Sequence, residues 1–230
     1  MASETLAIVT ARNEAASIGA TIAALTRALP GAPVVLADDG SSDATAELAA
    51  AAGARVLRGA HAIGKGGAAT RAAREALREA EADPGGAQTV VLLCDGDLGA
   101  SATRLAALVA AVRRGEADLA VAAFRTRLGG GLGIAVGFAR WAIRRSCGFE
   151  ARAPISGQRA MRARVLEDVL PFADGFGMEL AMTIDAVRAG HRLVEIELEL
   201  SHRATGRTPA GFAHRARQLR DFVRAYEARR

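Results

Sequence analysis

Four times in the first half of the chain, a short run of aliphatic and β-branched residues gives way to a longer alanine-, leucine- and arginine-rich segment with helical spacing. Strands are expected at 6–11, 33–38, 54–58, 89–94, 119–124 and 193–200, and helices at about 15–28, 43–52, 67–81, 101–114, 133–146 and 178–189. Apolar runs that do not alternate with polar residues belong to strands covered on both faces. Repeated strand–helix–strand units in turn give a parallel sheet. The chain is therefore expected to be α/β, with a mostly parallel, doubly wound sheet and helices on both faces. With 230 residues, half of them hydrophobic, it is long enough for one substantial core.

In such sheets ligands bind beyond the carboxyl ends of the strands. Those ends are where this sequence turns polar. Thr10 to Glu14 follow the first run, "DDGSSD" (38–43) the second, "GAHAIGKGG" (59–67) the third and "DGD" (95–97) the fourth. Any one of these loops carries little weight; four in succession predict one site built from the first half of the chain. The second half is less regular. A glycine-rich loop leads into a helix with Phe138, Trp141 and Ile143 beside Arg140, Arg144 and Arg145, and the chain ends in an arginine-rich helix. No internal repeat or long linker marks a domain boundary.

Gly59, four residues and then Gly64-Lys65, between a strand and a helix, nearly spell the phosphate loop of an NTPase. That loop needs Ser or Thr after the lysine to place a hydroxyl on Mg²⁺, and here the residue is Gly66. A P-loop-like nucleotide-binding NTPase is thus the weaker alternative. No G-x-G-x-x-G follows the first strand, which argues against a dinucleotide-binding enzyme. The pair Asp95 and Asp97 reads differently. Residues i and i+2 of a strand face the same side, so both carboxylates can converge on one point while Gly96 admits a ligand to the backbone. Two hard oxygen ligands suit Mg²⁺ or Mn²⁺, ions that bridge to phosphate oxygens. The structural alternative is a strand end closed by an Asx turn, with Ser101 capping the next helix.

Taken together, "VTARNEAASI", "VVLADDGSSDAT", "GKGGA" and "CDGDLGAS" stand in the order seen in family-2-like glycosyltransferases of the GT-A fold, which the chain resembles. "SGQRAM" is similar to the S-G-F-R-A stretch of the polyprenyl-phosphate sugar synthases. "GFGMELAMTIDAVRAG" and "SHRATGR" resemble the G-[FY]-G-[VM]-E and H-R segments of the glucosyl-3-phosphoglycerate synthases. The resemblance implies a single GT-A type domain over 1–230: a nucleotide-sugar-binding half over roughly 1–100, an acceptor half over roughly 101–205 and a basic C-terminal helix over roughly 206–230.

It also implies a metal-dependent transfer of sugar from a UDP- or GDP-sugar to a phosphorylated acceptor. Asp39 would accept the imide N–H of a uracil-like base, Thr10 and Asn13 would line the base pocket, and Glu14 would meet ribose hydroxyls. Lys65, the sole lysine of the chain, would contact the nucleotide. Asp95 and Asp97 would hold the metal, with His202 as a third ligand, and Asp97 is the favoured direct contact. Arg203 and Arg207 would clamp donor or acceptor phosphates. Glu179 would serve as general base for a hydroxyl acceptor, or orient the acceptor if that is already anionic. Its structural alternative is an acid complementing a helix N-terminus. Ser156, Gly157 and Arg159 fall where the resemblance puts the acceptor pocket, and Gln158 departs from the lipid-type pattern. Asp38 has a structural alternative as a loop-ordering residue, and Asp43 reads as the N-cap of the following helix.

The acceptor stays open between a polyprenyl phosphate and a small phospho-acid such as 3-phosphoglycerate. The helix "LGIAVGFARWAIRR" has the composition of an interfacial helix, which favours the lipid, while "SHRATGR" favours the phospho-acid. A net charge of +5 also permits a basic nucleic-acid- or membrane-binding module. The terminal arginines (215, 217, 220, 224, 229 and 230) are interrupted by Asp221 and Glu227 and lack an aromatic ladder, so nucleic acid is not expected as a partner. Cys94 and Cys147 form no metal-binding spacing. With neither a leader-like start nor a membrane-length apolar run, a cytoplasmic location is expected, with peripheral contact at the inner face of the membrane as an extension of the lipid reading. Oligomeric state, a homodimer included, is left open.

Overall fold

The computed structural model describes residues 5–81, 88–124, 133–201 and 209–230, excluding the side chains of residue 81 and of residues 209–216. The described elements run β1 (Thr5–Ala11), α1 (Ile18–Ala28), β2 (Val34–Asp38), α2 (Thr45–Ala51), β3 (Arg55–Arg58), α3 (Lys65–Glu81) and β4 (Val90–Asp95). After a 3₁₀ turn (Gly99–Leu105) come α4 (Ala106–Arg113), β5 (Leu119–Phe124), α5 (Ile134–Cys147), β6 (Arg159–Arg162) and α6 (Ala163–Val169). A second 3₁₀ turn (Gly175–Gly177) leads into α7 (Met178–Arg188), β7 (Leu193–Leu198) and α8 (Pro209–Glu227). Among the described residues, no helix is long and apolar enough to cross a membrane.

The strands form one seven-stranded sheet in the order β3-β2-β1-β4-β6-β5-β7. All neighbours are parallel except β6, which runs antiparallel to both β4 and β5. Successive side chains of β1 and β4 enter opposite faces. Ala7, Val9, Leu92 and Cys94 join the layer under α1 and α4, whereas Leu6, Ile8, Val91 and Leu93 pack with the alanines of α3 and with α6 and α7. Burial on both faces is why these strands read as unbroken apolar runs. A third cluster joins α5, α7 and α8 around Ile143, Leu180, Ile184 and Phe222.

The expected strands and helices are all present, with shifted ends, and β6 and α6 are additions. β6 has the sequence Arg-Ala-Met-Arg, with no β-branched residue, so local propensity gives it no strand signal. Its pairing with both neighbours supplies what propensity lacks. Ser101 is not a cap: it lies inside the first 3₁₀ turn and donates to Leu98 O at 2.7 Å.

Chain direction across the sheet reverses at β1, which has β2 on one side and β4 on the other. That is the switch point where a crevice opens in sheets of this kind. Thr10 and Asp95 are register partners there.

Candidate active site

Beside the switch point, at the tip of β4, lies an ion-paired cluster. Lys65 Nζ lies 2.7 Å from Asp95 Oδ1 and 2.7 Å from Glu179 Oε1. Each group is delivered by a different element: Asp95 ends β4, Lys65 opens α3, and Glu179 sits in the first turn of α7. Glu179 is buried, and the other two side chains keep just under a third of their surface exposed. Removal from water works against the lysine's charge, but Asp95 and then Glu179 outweigh it and hold its pKa well above the usual lysine range. Burial would raise the Asp95 pKa, and the adjacent ammonium with hydrogen bonds from Gln158 and Thr10 holds it below the carboxylate range instead.

Gln158 grips Asp95 twice. Its Oε1 accepts the Asp95 N–H at 3.0 Å, and its Nε2 donates to Asp95 Oδ2 at 2.9 Å. Thr10 Oγ1 donates to Asp95 Oδ1 at 3.2 Å. Both Asp95 oxygens therefore have protein donors, which was not evident from the D-x-D pattern. β4 also stops at Asp95, so the i, i+2 geometry expected for the pair does not extend to Asp97, which stands half-buried in the following turn.

The glycines of the motifs are explained by close approach. A Cβ on Gly66 would lie 2.0 Å from Ala173 O, so only glycine lets the start of α3 abut the segment leading to Glu179. This is also the position at which the phosphate-loop pattern fails. Gly96 was expected to admit a ligand; instead its Cα faces Ala11 and Ile18, where a Cβ would come within 2.9 Å of the Ala11 Cβ. Gly157 borders the cluster itself: a Cβ there would sit 2.7 Å from Lys65 Nζ and 2.8 Å from Asp95 Oδ2.

On the nucleotide-facing side expected from the sequence, the loops after β1 and β2 are tied together. The Asn13 N–H donates to Ser41 Oγ at 3.0 Å, and its Oδ1 accepts the Ser42 N–H at 2.9 Å, with Asn13 in the left-handed region at φ 58°. The Glu14 N–H donates to Thr45 Oγ1 at 2.8 Å. Asp39 is buried and accepts the N–H groups of Ile63 and Gly64 at 2.7 and 3.0 Å, which ties the loop before Lys65 to the end of β2. Asp38 is fully buried and takes the Ser41 N–H at 3.0 Å, as a loop-ordering residue should. Asp43 is not the N-cap of α2, which is Ala44; it stands one residue earlier and accepts the Thr45 N–H at 3.1 Å, its pKa lowered first of all by the Thr45 hydroxyl.

Arg159 corrects an expectation. It was assigned to the acceptor pocket, yet it is 1% exposed and lies beneath the cluster, donating from Nε to Ser156 O and from Nη1 to Thr183 Oγ1, each at 2.9 Å. Ser156 is likewise buried. Burial pulls the guanidinium pKa down to about 10, against the pull of Glu179 and Glu195. Two residues of the site escaped the sequence reading. Gln158 was noted only as a departure from a pattern, and Thr183, which donates to Glu179 O at 3.0 Å, gave no signal. His202, Arg203 and Arg207 lie outside the described residues. Among the described residues, no group of three or more His, Cys, Asp or Glu side chains is placed to hold a metal ion.

The strand order and the acidic β4 tip at the β1/β4 switch point are those of a GT-A type fold. Residues 6–170 match the model of glycosyl transferase family 2, and the chain belongs to that family. The structure is similar to that of glucosyl-3-phosphoglycerate synthase from Mycobacterium tuberculosis. The form with Mn²⁺, uridine diphosphate and phosphoglyceric acid is 25% identical, with a TM-score of 0.76, over 99% of this chain and 78% of that one. The form with Mg²⁺ and uridine diphosphate is 26% identical, with a TM-score of 0.74, over 99% and 79%. No curated protein sequence matches the chain.

Proposed function

We propose that this glycosyltransferase moves a sugar from a uridine-diphosphate sugar to a small phosphorylated acid, and that the Lys65–Asp95–Glu179 cluster seats the transferring sugar. The observation that carries this reading is the pair of 2.7 Å contacts made by Lys65. A sugar hydroxyl both donates and accepts, so a row of carboxylate, ammonium and carboxylate matches adjacent hydroxyls. The similar synthase binds uridine diphosphate with Mn²⁺ and phosphoglyceric acid, which fits both substrate classes.

The residues present suit a divalent ion. Mg²⁺ is commonly held by one or two carboxylates with substrate phosphates and water completing the shell. Asp97, in the turn just beyond β4, would be the direct ligand, joined by His202, while Lys65, Thr10 and Gln158 engage Asp95. An ion bound there would neutralise charge on the departing diphosphate. Thr10, Asn13, Glu14 and Asp39 shape the nucleoside end. Asp95 and Glu179 fix the sugar through its hydroxyls, and Lys65 bridges the two carboxylates. The bond from the anomeric carbon to the diphosphate breaks as the acceptor oxygen attacks. Arg203 and Arg207 meet the phosphates, and Gly157 lets its loop close against Lys65 and Asp95.

A specific observation favours a second reading, a polyprenyl phosphate acceptor at a membrane surface. On α5, Ile134 and Trp141 are 61% and 46% exposed, two turns apart, with exposed Arg144 and Arg145 following.

One assay tests both. Uridine diphosphate release from uridine-diphosphate sugars is measured with Mn²⁺ or Mg²⁺ and either 3-phosphoglycerate or polyprenyl phosphate in vesicles. Acceptor-dependent release with the phospho-acid supports the first reading. Release only with the lipid supports the second, and no release with any donor overturns both.

A further inference from the structure

We propose that Arg159 is a positioning residue: a buried counter-charge that locks the two halves of the acceptor side together and acts on the sugar through Glu179. The inference rests on the function proposed above and deepens it. One guanidinium links two segments that are distant in sequence. Nε donates to Ser156 O, at the start of the loop whose Gly157 borders Lys65 and whose Gln158 holds Asp95. Nη1 donates to Thr183 Oγ1, which passes a hydrogen bond to Glu179 O one helical turn back. Arg159 thus holds both the backbone that frames Asp95 and the turn that presents Glu179.

The arginine's cost argues that its charge is used. It is 1% exposed and, among the described residues, none of its hydrogen bonds goes to a carboxylate and its buried Nη2 has no hydrogen-bond partner. A buried cation in this state is a liability for the fold, and well-packed apolar residues commonly replace such groups without loss of stability. Within the cluster, Asp95 and Glu179 carry two negative charges and Lys65 one positive. Arg159 supplies the fourth charge and balances the set. Of the anions acting on Arg159, Glu179 has the largest effect, ahead of Glu195.

The test is a double-mutant cycle on Arg159→Met and Glu179→Gln, read by urea unfolding and by turnover. Arg159→Met is expected to lower the urea midpoint, because Glu179 stays buried with less compensation. Glu179→Gln in the same chain is expected to return most of that loss. In turnover, Arg159→Met should lower kcat by about 10- to 100-fold while donor KM stays within about threefold, as for a group acting in the transition state. Arg159→Lys keeps the charge and should recover part of kcat, and Arg159→Gln supplies the same cycle if the methionine variant does not fold. Additive midpoint shifts with kcat within twofold of wild type would overturn the proposal. If the wild-type enzyme transfers no sugar, the function proposed above fails, and the midpoint cycle still decides whether Arg159 and Glu179 are coupled.

Discussion

Gln158 holds Asp95 by two hydrogen bonds, one to its backbone N–H and one to its carboxylate. An amide can do this because it offers an acceptor and a donor on one planar group. Gln158→Glu would set a second carboxylate against Asp95 and Gln158→Leu would remove both bonds. Either change should lower kcat/KM, by about 10- to 100-fold if Gln158 orients Asp95 as supporting residues orient metal-site ligands. Steady-state kinetics with saturating donor checks this, and the glutamate variant is expected to be the worse of the two.

Gly157→Ala should separate activity from folding. The new Cβ would lie within 2.8 Å of both Lys65 Nζ and Asp95 Oδ2, polar ends that can swing aside. The fold should survive, with circular dichroism unchanged. Displacing the cluster by an ångström should cost about 100-fold in turnover. Gly66→Ala should behave differently, because its Cβ would meet the backbone carbonyl of Ala173 at 2.0 Å, and is expected to lower the melting temperature as well.

Lys65→Met would leave Asp95 and Glu179 facing each other without the cation between them. Turnover is expected to fall by at least about 100-fold, the scale for losing a fixed electrostatic group. Lys65→Arg should recover little, since a planar guanidinium cannot replace the ammonium point charge at two 2.7 Å contacts.

Far from the crevice, Asp118 provides a pH prediction. Burial opposes its ionisation, but the Arg192 N–H at 3.0 Å and the Arg164 guanidinium together lower its pKa. A carboxylate with a depressed folded pKa stabilises the protein above its unfolded pKa, about 3.9, and that stability is lost as pH falls through the folded value. Unfolding free energy should therefore decline below pH ~4 in the wild type. Asp118→Asn should lower stability at pH 7 by about 1–3 kcal/mol and flatten that acid limb.

The first half of the molecule was legible because its strands are runs of Val, Ile and Leu ending in polar loops, and the sheet brings those loops together at one edge. Lys65 and Glu179 are 114 positions apart, and no local pattern announces their contact. The Gly66–Ala173 approach that joins them depends on tertiary packing. β6 was hidden because Arg159 and Arg162 look like surface residues, while the fold buries the first and pairs the strand on both sides. The two aspartates of the β4 tip were found together and given one role. The end of the strand at Asp95 separates them, leaving Asp95 to the lysine and the glutamine and Asp97 to the turn beyond.

The division of labour between those aspartates is tested most directly by calorimetric binding of a uridine-diphosphate sugar to the wild type, Asp97→Asn and Asp95→Asn, each with Mn²⁺ and with the metal chelated. Chelation should weaken wild-type binding sharply. Asp97→Asn should bind weakly and no longer respond to Mn²⁺, while Asp95→Asn should still respond to it despite poor turnover. A metal response that survives in Asp97→Asn and vanishes in Asp95→Asn would contradict the account.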